Sequence, residues 1–191
     1  MPSDISICSN ALLMLGAAPL SSFNDGTKGA QVASNLFPDQ KRDFLRMHPW
    51  NAAMRRVQLA PEASPPAFGF KAQFLLPSDC LRVIGIDTGG YAPEFKVEGR
   101  RLLTDASVLN LEYIKDIPAD EFDPNMAQGL TYRMAAAMAY ATTASASLAQ
   151  TMAQEADMAV RRAKAADGQE GTTDEFMDDN YRAARFPGGG W

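Results

Sequence analysis

The sequence has few of the residues that catalysis and metal binding depend on. Its 191 residues include one histidine, His48, and two cysteines, Cys8 and Cys80, without a spacing typical of a metal site. Both cysteines lie among apolar residues, which favours buried free thiols in a reducing compartment. The inner stripes predicted for the last two helices carry no paired glutamates and no Glu-x-x-His element. We therefore expect no catalytic residue, no metal and no cofactor.

Excess positive charge and long hydrophobic runs are also missing. The chain has 18 lysines and arginines against 23 aspartates and glutamates, a net charge of −5. Proteins that hold nucleic acid neutralise phosphates with a basic face, so specific DNA or RNA binding is not expected. No apolar run is long enough to cross a bilayer, and no charged-then-apolar leader opens the chain. We expect neither membrane insertion nor export.

Helical spacing dominates the first part of the chain. Ser3 is predicted to cap a first helix, which Gly16 ends as a left-handed residue. Thr27 is predicted to cap a second helix that runs to His48. Pro38 falls inside this second helix and is expected to kink it about one turn earlier.

The end of the second helix carries the only histidine and one of two tryptophans. Pro49 removes a backbone donor and disfavours helical dihedrals at His48, so the helix should end there. Trp50 is predicted to pack at the junction between the helices and the part that follows. His48 could act as a general base, but no serine or cysteine in a catalytic-looking turn accompanies it, so a packed helix end is favoured.

The middle of the chain changes to an alternating pattern. Apolar and polar residues alternate or cluster in β-branched runs between proline and glycine turns, and Gly99 is placed as a hairpin turn. The predicted strands are 57–59, 80–86, 95–98, 101–103 and 108–114. The aromatic segment 68–74 is expected to lie in the core of the sheet, with a contact to a neighbouring subunit as the alternative. The pattern predicts one small antiparallel sheet.

Helical spacing returns after an N-cap and first-turn pair, Asp123 and Pro124. Two helices follow, and the short break at 142–147 predicts that they form an antiparallel hairpin. The preceding loop is acidic and could collect calcium, but it lacks the glycine turn and closing glutamate of a loop site, so a solvated loop is favoured. Its carboxylates are Asp116, Asp120, Glu121 and Asp123.

The C-terminal stretch is acidic and polar, then rich in arginine, aromatic residues and glycine. Such a segment cannot bury enough apolar surface by itself to offset its ordering entropy. It is therefore either disordered or an arm that orders on a partner, because aromatic and arginine side chains dominate interface energies when buried. The candidate docking residues are Tyr181, Arg182, Arg185, Phe186 and Trp191. The carboxylates before them, at 174, 175, 178 and 179, are expected to be solvated or to face a basic partner.

These patterns together predict an α+β fold that is mainly α. Its core is an antiparallel four-helix bundle, with helices 1 and 2 in residues 1–54 and helices 3 and 4 in residues 118–167. A small antiparallel β-sheet is inserted at 55–117, and residues 168–191 form an extended C-terminal arm.

Four motifs occur in an order that resembles a known family. They are ALLMLGAAPL with SFND at 11–25, RDFL with HPWN at 42–51, LLPSDCLRV at 75–83, and Asp-Pro at 123–124 before an alanine-rich helix. This order resembles the tail tubular protein A type of head-to-tail adaptor of tailed bacteriophages, over roughly residues 5–166. The signature residues are Gly16, Phe23, Asp25, His48, Pro49, Trp50, Pro77, Asp79, Asp123 and Pro124.

The resemblance implies a structural protein of the virion that is not an enzyme. Copies would assemble in the host cytoplasm into a dodecameric ring at the head–tail interface. The ring would bind the portal protein on one side and the tail nozzle or other tail proteins on the other. DNA would pass through its lumen without specific binding, for which an acidic balance is suitable because phosphate contacts would add friction. A head-completion or tail-terminator ring is the nearer alternative, and a small carboxylate-metal hydrolase is a remote one.

Overall fold

The computed structural model describes residues 1–87 and 93–170. In this part of the chain there are four α-helices: α1 (Asp4–Met14), α2 (Lys28–Arg46), α3 (Pro124–Thr143) and α4 (Ala146–Gln169). The six strands are β1 (Met54–Leu59), β2 (Ala72–Leu75), β3 (Cys80–Asp87), β4 (Phe95–Glu98), β5 (Arg101–Thr104) and β6 (Leu109–Lys115). Short 3₁₀ turns at Asn51–Ala53 and Ala119–Glu121 flank the strand region.

The predicted four-helix bundle with one inserted small sheet is wrong. The described residues form an α+β mix of four helices and two three-stranded antiparallel sheets, about 48% helix and 20% strand. Among the helices, α3 is the one against which α1, α2 and α4 each pack. The prediction failed because hydrophobic periodicity identifies elements but carries no information on which elements pair.

The two sheets are built from interleaved parts of the chain. Sheet A has the order β1-β6-β3, and sheet B has the order β2-β5-β4. Strand β2 was not predicted, and it pairs with β5 so that Phe74 lies opposite Leu102. The two sheets share one apolar cluster: Phe74, Leu76, Leu102, Leu109, Leu111 and Tyr113.

Three predicted helix caps are confirmed. The side chain of Ser3 accepts from the backbone of α1, that of Thr27 accepts from the Ala30 N–H at 3.1 Å, and Asp123 Oδ1 accepts from the first turn of α3. Gly16 follows the end of α1 with φ of 70°, the left-handed backbone that glycine adopts without a Cβ penalty. Local hydrogen bonding thus sets where these helices begin and end.

Helix α2 is continuous through Pro38 and ends at Arg46, earlier than predicted. Ala33 and Phe37 before the proline and Phe44 after it are all buried in one apolar cluster. Burial on both sides of Pro38 holds the helix together, although the proline nitrogen cannot donate to the backbone ladder.

Gly129 is a point of close approach between helices. A Cβ added to this glycine would lie 3.2 Å from the Phe44 ring and 3.6 Å from Ala163 Cβ. Helix α3 therefore touches both α2 and α4 at one position where no side chain fits easily.

Gly129→Leu is expected to lower the free energy of unfolding by about 1–3 kcal/mol, because the new side chain overpacks against Phe44. Gly168→Ala is the matched control, since that helical glycine has open space around it and alanine favours helix by roughly 0.5–1 kcal/mol. Equilibrium urea denaturation of both variants measures the difference. Equal stability of the Leu variant and the parent would show that the helices are not held at this distance.

Two other predictions are only partly confirmed. The aromatic segment is split, because Phe74 is fully buried whereas Phe68 is 88% exposed. Helix α4 continues to Gln169, past the predicted start of the arm at 168. The five candidate docking residues of the arm lie outside the described residues.

Candidate functional site

His48 is paired with the buried carboxylate of Asp167, near the end of α4. His48 Nε2 lies 3.0 Å from Asp167 Oδ2, and the backbone N–H of Asn51 donates to Asp167 Oδ1 at 2.9 Å. The Asn51 side-chain amide also donates to the Asp167 backbone carbonyl at 2.7 Å. Asp167 is only 6% exposed. These three bonds fasten the end of α4 to the turn between α2 and β1, and we refer to His48, Asn51 and Asp167 as the latch.

Trp50 fills the space beneath the latch. Its side chain is fully buried, its ring stacks on Phe44 with 4.7 Å between centroids, and its indole N–H donates to the Phe44 carbonyl at 2.9 Å. The His48 ring meets the Trp50 ring edge-on, also at 4.7 Å. A buried tryptophan whose N–H is hydrogen-bonded buries a large apolar area without leaving an unpaired polar group. Trp50 therefore lies where helices and strands meet, as the sequence predicted.

Asp167 was missed by the sequence reasoning. The inner stripe of α4 was searched only for paired glutamates and a Glu-x-x-His element, but Ala159, Ala163 and Asp167 follow one another at a spacing of four and all three are buried. A carboxylate that continues an apolar stripe is the signal that could have revealed it, because such a group needs a partner when buried. The pairing of Asp167 with His48 was therefore not predicted.

A histidine held by an aspartate can in principle work as a general base. Among the described residues, however, His48 makes no hydrogen bond to a serine, threonine or cysteine. Burial, with a smaller effect of nearby Asp4, raises the pKa of the Cys8 thiol to about 12. Burial also raises the pKa of Cys80, with Asp79 as the next cause. Both thiols thus stay protonated at neutral pH, which is the unreactive form. The geometry of the latch fits a positioning role.

The signature residues near the start of the chain form a tight turn. The Asp25 carboxylate accepts from the backbone N–H groups of Ser21 at 2.6 Å and Ser22 at 3.0 Å. These two bonds, the Ser21 bond first, hold the pKa of Asp25 below its ordinary value. The Phe23 ring packs on Phe37 of α2 with 6.0 Å between centroids. The turn therefore brings α1 and α2 together.

Pro77 contacts the β4–β5 turn of sheet B, and Asp79 contacts the end of β6 in sheet A. The Pro77 carbonyl accepts from Arg100 at 2.8 Å, and the Asp79 carbonyl accepts from the Asp116 N–H at 2.8 Å. The Tyr113 hydroxyl lies 3.4 Å from Asp79 Oδ1, and its pKa is raised mainly by burial and then by that carboxylate. Both signature residues thus hold the turn that leads into β3.

The structure does not gather the carboxylates that could have collected calcium. Asp116 pairs with Lys41 at 2.9 Å and with Arg42, and Glu121 pairs with Arg55 at 2.8 Å. Asp123 is the N-cap of α3. In residues 1–87 and 93–170 no three histidine, cysteine or acidic side chains lie close enough together to hold a metal ion. In the same residues, no helix is long and apolar enough to span a bilayer.

Two open grooves lie on the described surface. One, of about 470 Å³, runs between α1 and α3 and is lined by uncharged residues such as Asn10, Gln128 and Tyr132. The other, of about 600 Å³, lies on sheet A beside Arg56, Gln58 and Glu112. Exposed apolar side chains are found in and next to the strands of sheet B, including Leu75, Phe95 and Val97. Surfaces of this kind suit contacts with other proteins better than the enclosure of a small molecule.

Comparison with models of known protein families gives no match to this chain. No curated protein matches it at a significant level either.

Proposed function

We propose that this protein is a structural head-to-tail adaptor of a tailed bacteriophage. Copies form a ring, dodecameric by resemblance to the tail tubular protein A type, that sits in the virion beneath the portal and lengthens the DNA channel. The partners are the portal protein above and the tail nozzle or other tail proteins below. The subunit performs no chemical step.

The observation that carries this proposal is the ordered set of motifs, above all HPWN at 48–51. The latch and Trp50 give three of these four residues a physical reason to occur together, because His48, Trp50 and Asn51 each make a hydrogen bond at the junction of helices and strands. A rigid subunit is what a ring that carries mechanical load between head and tail requires. The net charge of −5 also suits a channel that must release DNA.

Assembly on purified portal tests the function. The free protein is expected to be much smaller than a ring in sedimentation and light scattering. Adding portal is expected to give a stack of two rings in electron micrographs. Stoichiometric rings without portal would favour a head-completion or tail-terminator role, whereas no association with portal under any condition would contradict an adaptor.

Deletion of residues 171–191 is expected to abolish docking on the portal while leaving the helical signal of the subunit unchanged. The cut falls after the end of α4, so the described helices stay intact. Aromatic and arginine residues such as Tyr181, Arg182 and Phe186 would lose their contacts, and these types contribute most when buried in an interface. Co-sedimentation with portal measures the loss.

Full-length protein with Thr172→Ala and Thr173→Ala is the matched control, because it changes the same segment without touching its aromatic or arginine residues. The control is expected to dock like the parent. Normal docking of the truncated protein would show that recognition lies elsewhere in the subunit.

A further inference from the structure

Each three-stranded sheet has two edges, and other segments of the subunit contact part of two of the four edges. The outer edge of β2 is met by the segment before it, where the Glu62 N–H donates to the Gln73 carbonyl at 2.8 Å. The start of β3 lies against the end of α2, where Arg46 donates to the Leu81 carbonyl and Arg82 donates to the Arg46 carbonyl. In the described residues, no comparable backbone contact meets the outer edge of β4 or of residues 55–59 of β1. An open edge is a template for another strand.

Strand β4 is exposed along its whole length. Its apolar residues Phe95 and Val97 are 38% and 43% exposed, and they alternate with the charged residues Lys96 and Glu98. The register places Val97 opposite Leu102 and Phe95 opposite Thr104, so both apolar side chains lie on the same face as Leu102, which is buried in the cluster shared with sheet A. The apolar face of sheet B therefore extends to the edge strand β4, where its side chains are exposed to solvent.

Strand β1 shows the matching pattern. Val57 and Leu59 are half-buried and pack against the inter-sheet core, whereas Arg56 and Gln58 are exposed on the other face. The Arg56 side chain is 84% exposed even though it pairs with Glu112. A guanidinium carries five donors, so Arg56 can bind a second carboxylate without losing the first.

We propose that β4 of one copy adds antiparallel to the open edge of β1 in the next copy, with Val97 opposite Val57. In this register Phe95 lies opposite Leu59 on the apolar face. Glu98 lies opposite Arg56 and Lys96 lies opposite Gln58 on the polar face, so the only directly opposed charges are of opposite sign. A shift of two residues in one direction instead places Lys96 opposite Arg56, which repels. A shift of two residues in the other direction places Glu98 opposite Gln58 and loses the pair of opposite charges. The register with Val97 opposite Val57 is therefore the one of these three that opposes unlike charges.

This inference rests on the proposed function, because a contact between two different edges propagates from head to tail and closes only as a ring. Pairing of β4 with a second β4 would also oppose Lys96 and Glu98. It would, however, create a twofold dimer and leave β1 open. Pairing of β4 with β1 uses both open edges of each subunit. Every residue of β4 then lies opposite a residue of β1 in the neighbouring copy. A ladder of four residues is too short to hold two proteins together by itself, so it forms within the assembled ring.

Cysteine cross-linking tests the pairing. Directly opposed residues of antiparallel strands have Cα atoms about 4.5–5.5 Å apart, which lies inside the range of about 4.4–6.8 Å found for disulfides. The double variant Val57→Cys with Val97→Cys, assembled on portal and oxidised mildly, is expected to give a ladder of covalent oligomers on denaturing gels. A mixture of the two single variants is expected to stop at dimers.

The matched control is Gln58→Cys with Val97→Cys, which moves one thiol by a single residue to the opposite face of the strand and should lose the ladder. The parent protein, oxidised in parallel, shows the contribution of Cys8 and Cys80, and thermal unfolding under reducing conditions shows that each variant folds. Rings in micrographs without a ladder would overturn the pairing and leave the adaptor function standing. Covalent dimers from Val97→Cys alone would overturn it in favour of twofold pairing. Absence of rings on portal would refute both the adaptor function and this contact.

Discussion

Trp50→Ala is expected to lower the free energy of unfolding by about 3–5 kcal/mol, the range for removing a large buried aromatic side chain. The indole is fully buried between Phe44 and His48, and both contacts are made at 4.7 Å between ring centroids. The substitution opens a cavity at the point where α2 ends and β1 begins. It also leaves the Phe44 carbonyl without the indole donor.

Equilibrium urea denaturation followed by circular dichroism measures this loss. Trp50→Phe separates the two contributions, since it keeps most of the stacking area but removes the N–H, and it is expected to cost about 1–2 kcal/mol. Tyr140→Ala is the matched control, because Tyr140 is 65% exposed and its removal should change stability by less than about 0.5 kcal/mol. A Trp50→Ala variant as stable as the Tyr140→Ala variant would show that the junction is not close-packed.

Asp167→Ala is expected to lower the free energy of unfolding by about 2–3 kcal/mol. The carboxylate accepts from the Asn51 N–H and the His48 ring while almost completely buried, and hydrogen bonds to a charged group contribute roughly 1.5–3 kcal/mol. Alanine would leave that N–H and that ring nitrogen without an acceptor in a site that excludes much of the solvent. Denaturation curves again give the measured quantity.

Two further variants complete the test of the latch: a conservative substitution of Asp167 and the removal of an exposed carboxylate on the same helix. Asp167→Asn retains one acceptor oxygen, so it should cost less than alanine. Asp157→Ala lies on the exposed face of the same helix and should be close to neutral. If Asp167→Ala were as mild as Asp157→Ala, the latch would be a consequence of the fold and not a contribution to its stability.

Local structure was largely predictable from the sequence. Ser3, Thr27 and Asp123 begin helices because their side chains accept from backbone N–H groups a few residues along, and such bonds need no distant partner. Most strands were found for the same reason, since alternation and turn residues act over a few positions. Strand β2 was missed because proline and aromatic residues around it hide so short a segment.

The sequence by itself thus determined where most elements lie, which ends they cap and which of their faces are apolar. Only the tertiary structure decided the partner of each element: β2 with β5 and not with β3, α3 against all three other helices, and Asp167 with His48 across 119 positions of sequence. The physical reason is that caps and periodicity depend on neighbours in the chain. Pairing between distant elements depends on which apolar faces can be buried together and on which buried polar groups then find a partner.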